Sequence, residues 1–239
     1  MANKKNLNII EIRSTRTFSE VITKYPQLGT LSVLLVMFVV FAIFSPYNKA
    51  GENVFLTWRN FSTVLELSAA YSIGAFAMTM VLLSGGIDLS CDSVIALSGA
   101  VAGMFLTNFG ANFIVAALMG LLVGVLIGLI NGFLIIELKL PPFLATLGVA
   151  NAIRGVAFIV TQGKQIYVAN EAFTNTFGFG ELLGIPSLVW WTAFFLILTY
   201  LIISRMKFGR RLQAMGDNET AATNSGVNVR LIKYITYAF

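Results

Sequence analysis

The sequence predicts an all-α membrane protein: a polytopic transmembrane helix bundle of six complete spans plus the start of a seventh, with its N-terminus cytoplasmic. Three observations carry that expectation. Hydrophobic residues make up 57% of the 239 and charged residues 11%, with a mean hydropathy of +0.81, whereas soluble chains are about 25% charged. Six apolar runs reach the roughly 17–25 residues that a bilayer core about 30 Å thick requires. The cations gather on alternate connections between those runs, the positive-inside pattern.

The elements follow in order. Residues 1–27 are polar, carry Lys4, Lys5, Arg13, Arg16 and Lys24, and read as a cytoplasmic N-terminal segment; so long a polar lead is unlike a cleavable secretory signal. The spans are expected at Leu28–Pro46, Phe61–Ser84, Cys91–Thr107, Asn112–Ile136, Phe143–Thr161 and Ser187–Ser204. Six crossings return the chain to the cytoplasm at Arg205. The inside segments then hold twelve cations: the five above, Lys139, Arg205, Lys207, Arg210, Arg211, Arg230 and Lys233. The outside loops hold three, Lys49, Arg59 and Lys164. Residues 28–239 thus read as one transmembrane domain with a cytoplasmic loop over 205–233. After Lys233 the chain turns apolar again (Tyr234, Ile235, Tyr237, Ala238, Phe239) without completing a span, so the domain is expected to be incomplete at its C-terminus.

Composition also excludes. With no histidine, no His-based metal site, proton relay or triad can form, and one cysteine permits neither an internal disulfide nor a Cys cluster. Cys91 reads as a small apolar filler, having no His base to activate it. The net charge of +5 is not an aromatic-interleaved basic patch, so no nucleic-acid partner is expected.

Several motifs interrupt the apolar pattern. Between the second and third runs stands Ser84-Gly85-Gly86-Ile87-Asp88-Leu89-Ser90-Cys91-Asp92-Ser93. The flanks Leu67–Ser84 and Cys91–Thr107 are each nearly able to cross alone, at about 27 and 25 Å. That places Gly85–Ser90 near the cytoplasmic boundary, with Asp88 and Ser90 as gate or helix-cap candidates and direct solute contact a second reading. The fourth run carries Gly120, Gly124, Gly128 and Gly132 on one helical face, a pattern for close helix packing. Asn131 beside them is expected to cap the cytoplasmic end rather than bond across the contact. Pro141-Pro142 force a turn. The fifth run holds Thr146, Asn151 and Arg154, and a buried Arg needs a partner; Glu66, Asp88 and Asp92 are available. Helix tie and solute-path residue are the two readings for Arg154, and the extra carboxylate Asp92 shares them. The outside connection Gln162–Pro186, with Phe173, Phe177 and Phe179, reads equally as a surface loop or as a docking surface.

Residues 208–230 are the most telling polar segment. Asp217 or Asn218 can cap a short helix, Glu219 suits its positive end and Gly226 can stop it. Such a small-residue helix beneath the membrane has no lipid-facing purpose and suits a groove on another protein.

These residues carry a resemblance. Glu219, Ala221-Ala222 and Gly226 look like the cytoplasmic coupling loop of ATP-binding-cassette importer permeases. Gly85-Gly86-Ile87-Asp88-Leu89-Ser90 with Ser93 and Ala96–Ala100, Pro142–Gly148 with Arg154-Gly155, and Phe208-Gly209-Arg210 leading to Gly216-Asp217-Asn218-Glu219 resemble the ribose/xylose/galactose branch of those permeases. Cys91 and Asp92 depart from the family, which has a small apolar residue and a glycine there. The resemblance implies a non-enzymatic permease subunit, dimeric in the bacterial cytoplasmic (inner) membrane, importing a monosaccharide. It implies an extracytoplasmic sugar-binding protein and a cytoplasmic ATPase subunit as partners, besides membrane lipid. No cofactor is expected in this chain, ATP being bound by the partner; no phosphate-cradling Gly-Lys-Ser/Thr loop is present. Gly216, Glu219, Ala221, Ala222 and Gly226 would couple to the ATPase. Two other classes remain: an ion-coupled secondary transporter using Glu66, Asp88, Asp92 and Arg154, and a non-transporting membrane scaffold or fragment.

Overall fold

The computed structural model describes residues 26–178 and 180–239; the five N-terminal cations and Phe179 lie outside the described residues. The chain divides into two compact units, Met1–Phe61 and Ser62–Phe239. In the first, helix α1 (Pro26–Phe44) leads into a loop that Asn53 pins. Its Nδ2 donates to the Ala42 carbonyl at 2.6 Å, and its Oδ1 accepts from the Leu56 amide at 3.3 Å, opening a 3-10 turn at Val54–Leu56.

The division falls within α2 (Trp58–Leu83), after which come α3 (Cys91–Thr107), α4 (Phe113–Ile136), α5 (Pro142–Thr161), α6 (Glu171–Phe177) and α7 (Ser187–Ser204). The chain ends in three short helices, α8 (Lys207–Asp217), α9 (Glu219–Asn224) and α10 (Val229–Ala238). Strand pairing among the described residues is confined to the two-residue antiparallel pair β1 (Glu181–Leu182) and β2 (Ile185–Pro186), apart from one isolated bridge, Tyr47–Asn53. Four helices, α2, α4, α5 and α7, are long and apolar enough to cross a membrane; Leu28–Phe44 and Cys91–Thr107 are shorter apolar helices.

Local chemistry sets the boundaries. Asn112 caps α4 by accepting the Ile114 amide at 2.8 Å. Pro142 occupies the first position of α5, where its missing N–H costs nothing. The end of α2 is a full Schellman stop: Gly85 has φ +75°, its amide donates to the Leu82 carbonyl at 3.0 Å, and the Gly86 amide donates to the Val81 carbonyl at 3.1 Å.

Helix α3 packs along both α4 and α5, burying Leu97, Ile127, Val149 and Ile153 together. The glycine face of α4 serves two neighbours. A Cβ added at Gly120 would stand 3.0 Å from the Ser98 carbonyl of α3, and one at Gly124 only 3.8 Å from Ser98 and Val94. Toward the other end, a Cβ at Gly128 would overlap the Tyr237 carbonyl of α10, and one at Gly132 would reach the Tyr234 ring at 2.8 Å. Absence of side chains thus lets two backbones approach the same helix. A second core gathers Met80 of α2 with Leu212, Met215, Ala222, Val229 and Ile232. The three terminal helices are therefore seated on the end of α2.

Candidate functional site

The corner Gly85–Ser90 between α2 and α3 is lashed to α4 and α5. Asp88 Oδ1 accepts from the Ser90 amide at 2.7 Å and from the Ser90 hydroxyl at 2.6 Å, an Asx turn closed a second time by the side chain. Because the Ser90 hydroxyl spends its proton on Asp88, its lone pair needs a donor, and Asn131 Nδ2 supplies one at 2.8 Å. From α5, Thr146 Oγ1 accepts the Leu89 amide at 3.1 Å and itself lies within donating distance of the Pro142 and Ile87 carbonyls, at 2.9 and 3.3 Å. Ser90 and Thr146 are 0% exposed and Asn131 1%. In so dry a setting each of these bonds counts, because leaving one partner unmet costs about 1–3 kcal/mol.

The corner differs from expectation in two details. Ser90 stands at the N-cap of α3, but its side chain makes no capping bond; the hydroxyl goes to Asp88 instead. Asn131 does not cap α4, whose C-cap is Glu137. It sits about 7 Å inside the helix end, at 1.5 Å per residue, and bonds across to Ser90. The corner therefore lies near the helix ends of the bundle, one to two turns in.

Asp92 and Arg154 meet elsewhere. Their ion pair spans 3.5 Å, with side chains 88% and 67% exposed respectively. Of the acidic partners open to Arg154, Asp92 is the one that meets it, and Asp88 is engaged by Ser90. Asn151 is also exposed on α5, its Nδ2 bonded only to the Leu147 carbonyl of its own helix at 2.9 Å. A Cβ at Gly99, Gly148 or Gly155 would touch nothing. Helices α3 and α5 thus share an open, small-residue face bearing one ion pair and one amide.

The short helix expected between Asn218 and Gly226 is α9, and a further helix, α8, precedes it. Asn218, extended at φ −157°, ends α8 and starts α9, its Oδ1 accepting the Ala221 amide at 2.9 Å. Of the two cap candidates, Asn218 takes the role. Gly226 (φ +81°) ends α9 in a second Schellman stop: its amide donates to Thr223 and the Val227 amide to Ala222, both at 3.0 Å. Lys233 Nζ meets Glu219 at 2.7 Å. Ala222 is buried against the bundle, while Glu219 and Ala221 face outward. Gly216 fits under α2 so closely that a Cβ would overlap the Leu83 carbonyl.

Between this segment, the corner and the α4–α5 turn opens a cleft of about 870 Å³, reached by Gly85, Glu137, Lys139, Asp217, Glu219 and Arg230. The Arg230 guanidinium donates to Glu137, joined by the Tyr234 hydroxyl at 3.3 Å. The hydrogen bond from Arg230 holds the Glu137 carboxyl below the usual carboxylate range. At the other end of the bundle α6 packs on α7: Trp191 Nε1 donates to the Thr176 carbonyl at 2.8 Å, and Phe177 stacks on Trp191 with centroids 5.3 Å apart.

Tyr237 was missed by sequence reasoning, which took it only as part of an apolar run. A Cβ on Gly86 would overlap its hydroxyl. The signal was Gly86 itself: Gly85 already makes the turn, so a second glycine must be making room.

A family described as "Branched-chain amino acid transport system / permease component" matches residues 60–239. The ribose import permease protein RbsC of Bacillus subtilis (strain 168) is 41% identical over 187 residues, 77% of this chain and 57% of that protein. The galactofuranose transporter permease protein YtfT of Escherichia coli (strain K12) is 36% identical, covering 73% of this chain and 50% of the relative. The L-arabinose transport system permease protein AraH of the same strain is 35% identical, covering 77% and 54%. The chain thus spans about half the length of the curated relatives it matches. No solved structure gives a significant match. By that match over most of its length, the chain belongs to the branched-chain amino acid transport system permease family, as a non-catalytic, multi-pass component of the bacterial cytoplasmic membrane.

Proposed function

We propose that this chain is the membrane-spanning permease part of a binding-protein-dependent ATP-binding-cassette importer for a monosaccharide. Solute moves inward, and a separate cytoplasmic ATPase subunit hydrolyses the ATP. The relatives named for ribose, galactofuranose and arabinose support a monosaccharide as cargo. The chain crosses six times from a cytoplasmic N-terminus, the 205–233 loop lies inside, and a second permease copy completes the pore. An extracytoplasmic binding protein delivers sugar at the opposite face.

One observation carries this reading: the α8–α9 segment is seated under the end of α2 by Gly216 and Ala222, while its outer face, with Glu219 and Ala221, stays open. Force applied from below on that face would pass through Gly216 to Leu83 and so to the Gly85–Ser90 corner. Asp88 and Ser90 then act as a gate hinge, and Gly226 fixes the length of the lever. The open α3–α5 face, with Asp92, Asn151 and Arg154, lines the solute path, where water and a paired charge are tolerated. The glycines Gly120, Gly124, Gly128 and Gly132 keep α3 and α10 close against α4.

The test is Glu219→Lys and Gly226→Leu in the full-length permease, reconstituted with its ATPase and binding protein. ATP hydrolysis should continue while sugar uptake is lost. Normal uptake by both variants would sink the assignment.

A further inference from the structure

A cavity of about 110 Å³ lies behind the corner, between α2, α3, α4 and α10, lined by Asp88, Ser90, Asn131 and Tyr237 with Met78 and Val94 among the apolar walls. Ligand sites for drug-sized molecules run to about 300–1,000 Å³, so this one is too small for a sugar. At about 30 Å³ of liquid volume per water, it holds three or four small particles.

Its polar atoms are unmatched in a particular way. The bond network fixes the Asn131 amide: Nδ2 must face Ser90, whose proton is already committed to Asp88. Asn131 Oδ1 is therefore the free end, and it is buried without a partner. The Tyr237 hydroxyl is likewise buried without a partner. Asp88 uses Oδ1 for both of its bonds to Ser90; no hydrogen bond among the described residues reaches Oδ2. None of the three ion pairs among the described residues involves Asp88, and no basic side chain lines the cavity. Water alone could meet the orphaned oxygens, but a cation would also balance the half-buried carboxylate, which no basic side chain lining the cavity does.

We infer that the cavity binds one partly hydrated monovalent metal cation, held by Asp88, the Asn131 carbonyl oxygen and the Tyr237 hydroxyl. One carboxylate balances one charge, neutral oxygens complete a hard-cation shell, and the volume leaves room for two or so waters. The ion would tie α10, which follows the coupling segment, to the corner. This inference does not depend on the transported solute.

The experiment is thermal unfolding of the purified full chain in lipid nanodiscs, titrated with NaCl or KCl against choline chloride at constant ionic strength. One of the two metal ions should raise the melting temperature saturably, and choline should not. Asp88→Asn should abolish the dependence, and Tyr237→Phe should raise the half-saturating concentration about tenfold, the effect of one lost ligand bond. The variant Glu181→Gln, at an exposed position of β1, should behave as the wild type. Identical melting in all three salts would overturn the inference, as would an unchanged midpoint in Tyr237→Phe, which serves even where Asp88→Asn does not fold.

Discussion

Asp88 and Asp92 stand four positions apart and live in opposite surroundings. Asp88 is half-buried, and its bonds go to Ser90, which is wholly enclosed and tied on to Asn131. Asp92 is 88% exposed and meets one guanidinium at 3.5 Å. The first carboxylate fixes the Ser90 backbone at the corner and, through the Ser90 hydroxyl, ties it to Asn131 of α4; the second decorates an open face. The difference teaches that two carboxylates one helical turn apart can do different work, and that burial tells them apart: the half-buried one fixes local backbone, and the exposed one makes a solvated ion pair.

That contrast can be broken most sharply at Asp88. Asp88→Ala should lower unfolding free energy by about 3 kcal/mol, since it removes charge-assisted bonds and strands the Ser90 donors. Asp92→Ala should cost less than about 1 kcal/mol, as an exposed ion pair does. Equal losses in denaturant titrations would erase the distinction. Asn131→Ala comes next, with a loss of about 2 kcal/mol for the bond and the small void. Asn218→Ala should cost about 1 kcal/mol through the missing cap and should loosen α9 without disturbing the corner, which proteolysis of the segment would report. A smaller effect sharpens the other side: exchanging the charges in the double variant Asp92→Arg, Arg154→Asp should retain stability within about 1 kcal/mol, while altered uptake would mark the pair as lining the path.

The smallest effect is one of pH. Glu137 is held below its ordinary value by Arg230, so its contribution is present above the unfolded-state pKa of about 4.3 and fades as pH falls through the lower folded value. Melting of the wild type against Glu137→Gln should therefore separate above about pH 4.3, the wild type being the more stable, and converge as pH falls through the lower folded value.

Much of this was legible in the sequence, and the reason is locality. The apolar runs gave helices whose ends fall within three residues of the expected bounds, because bilayer thickness fixes run length. Asn218 and Gly226 could be read because a cap and a stop each act on residues within four positions. The corner could not be. The partners of Ser90 and Leu89 lie 41 and 57 residues away, in Asn131 and Thr146, and no periodicity links them. Asn131 looked like an end residue because polar residues near helix termini usually cap. It is a cross-link because α3 approaches α4 along a face without side chains. The two adjacent glycines look alike in sequence yet differ in structure, one making the turn and the other admitting Tyr237.

The central claim is that the α8–α9 segment moves the Gly85–Ser90 corner through the backbone contact of Gly216 on Leu83. Gly216→Ala in the reconstituted full-length transporter tests it most directly, with ATP hydrolysis and sugar uptake measured on the same vesicles. An added methyl that must push the two backbones apart costs about 1–3 kcal/mol, so uptake per ATP should fall roughly ten- to hundredfold while hydrolysis persists. Uptake per ATP equal to that of the wild type would contradict the account.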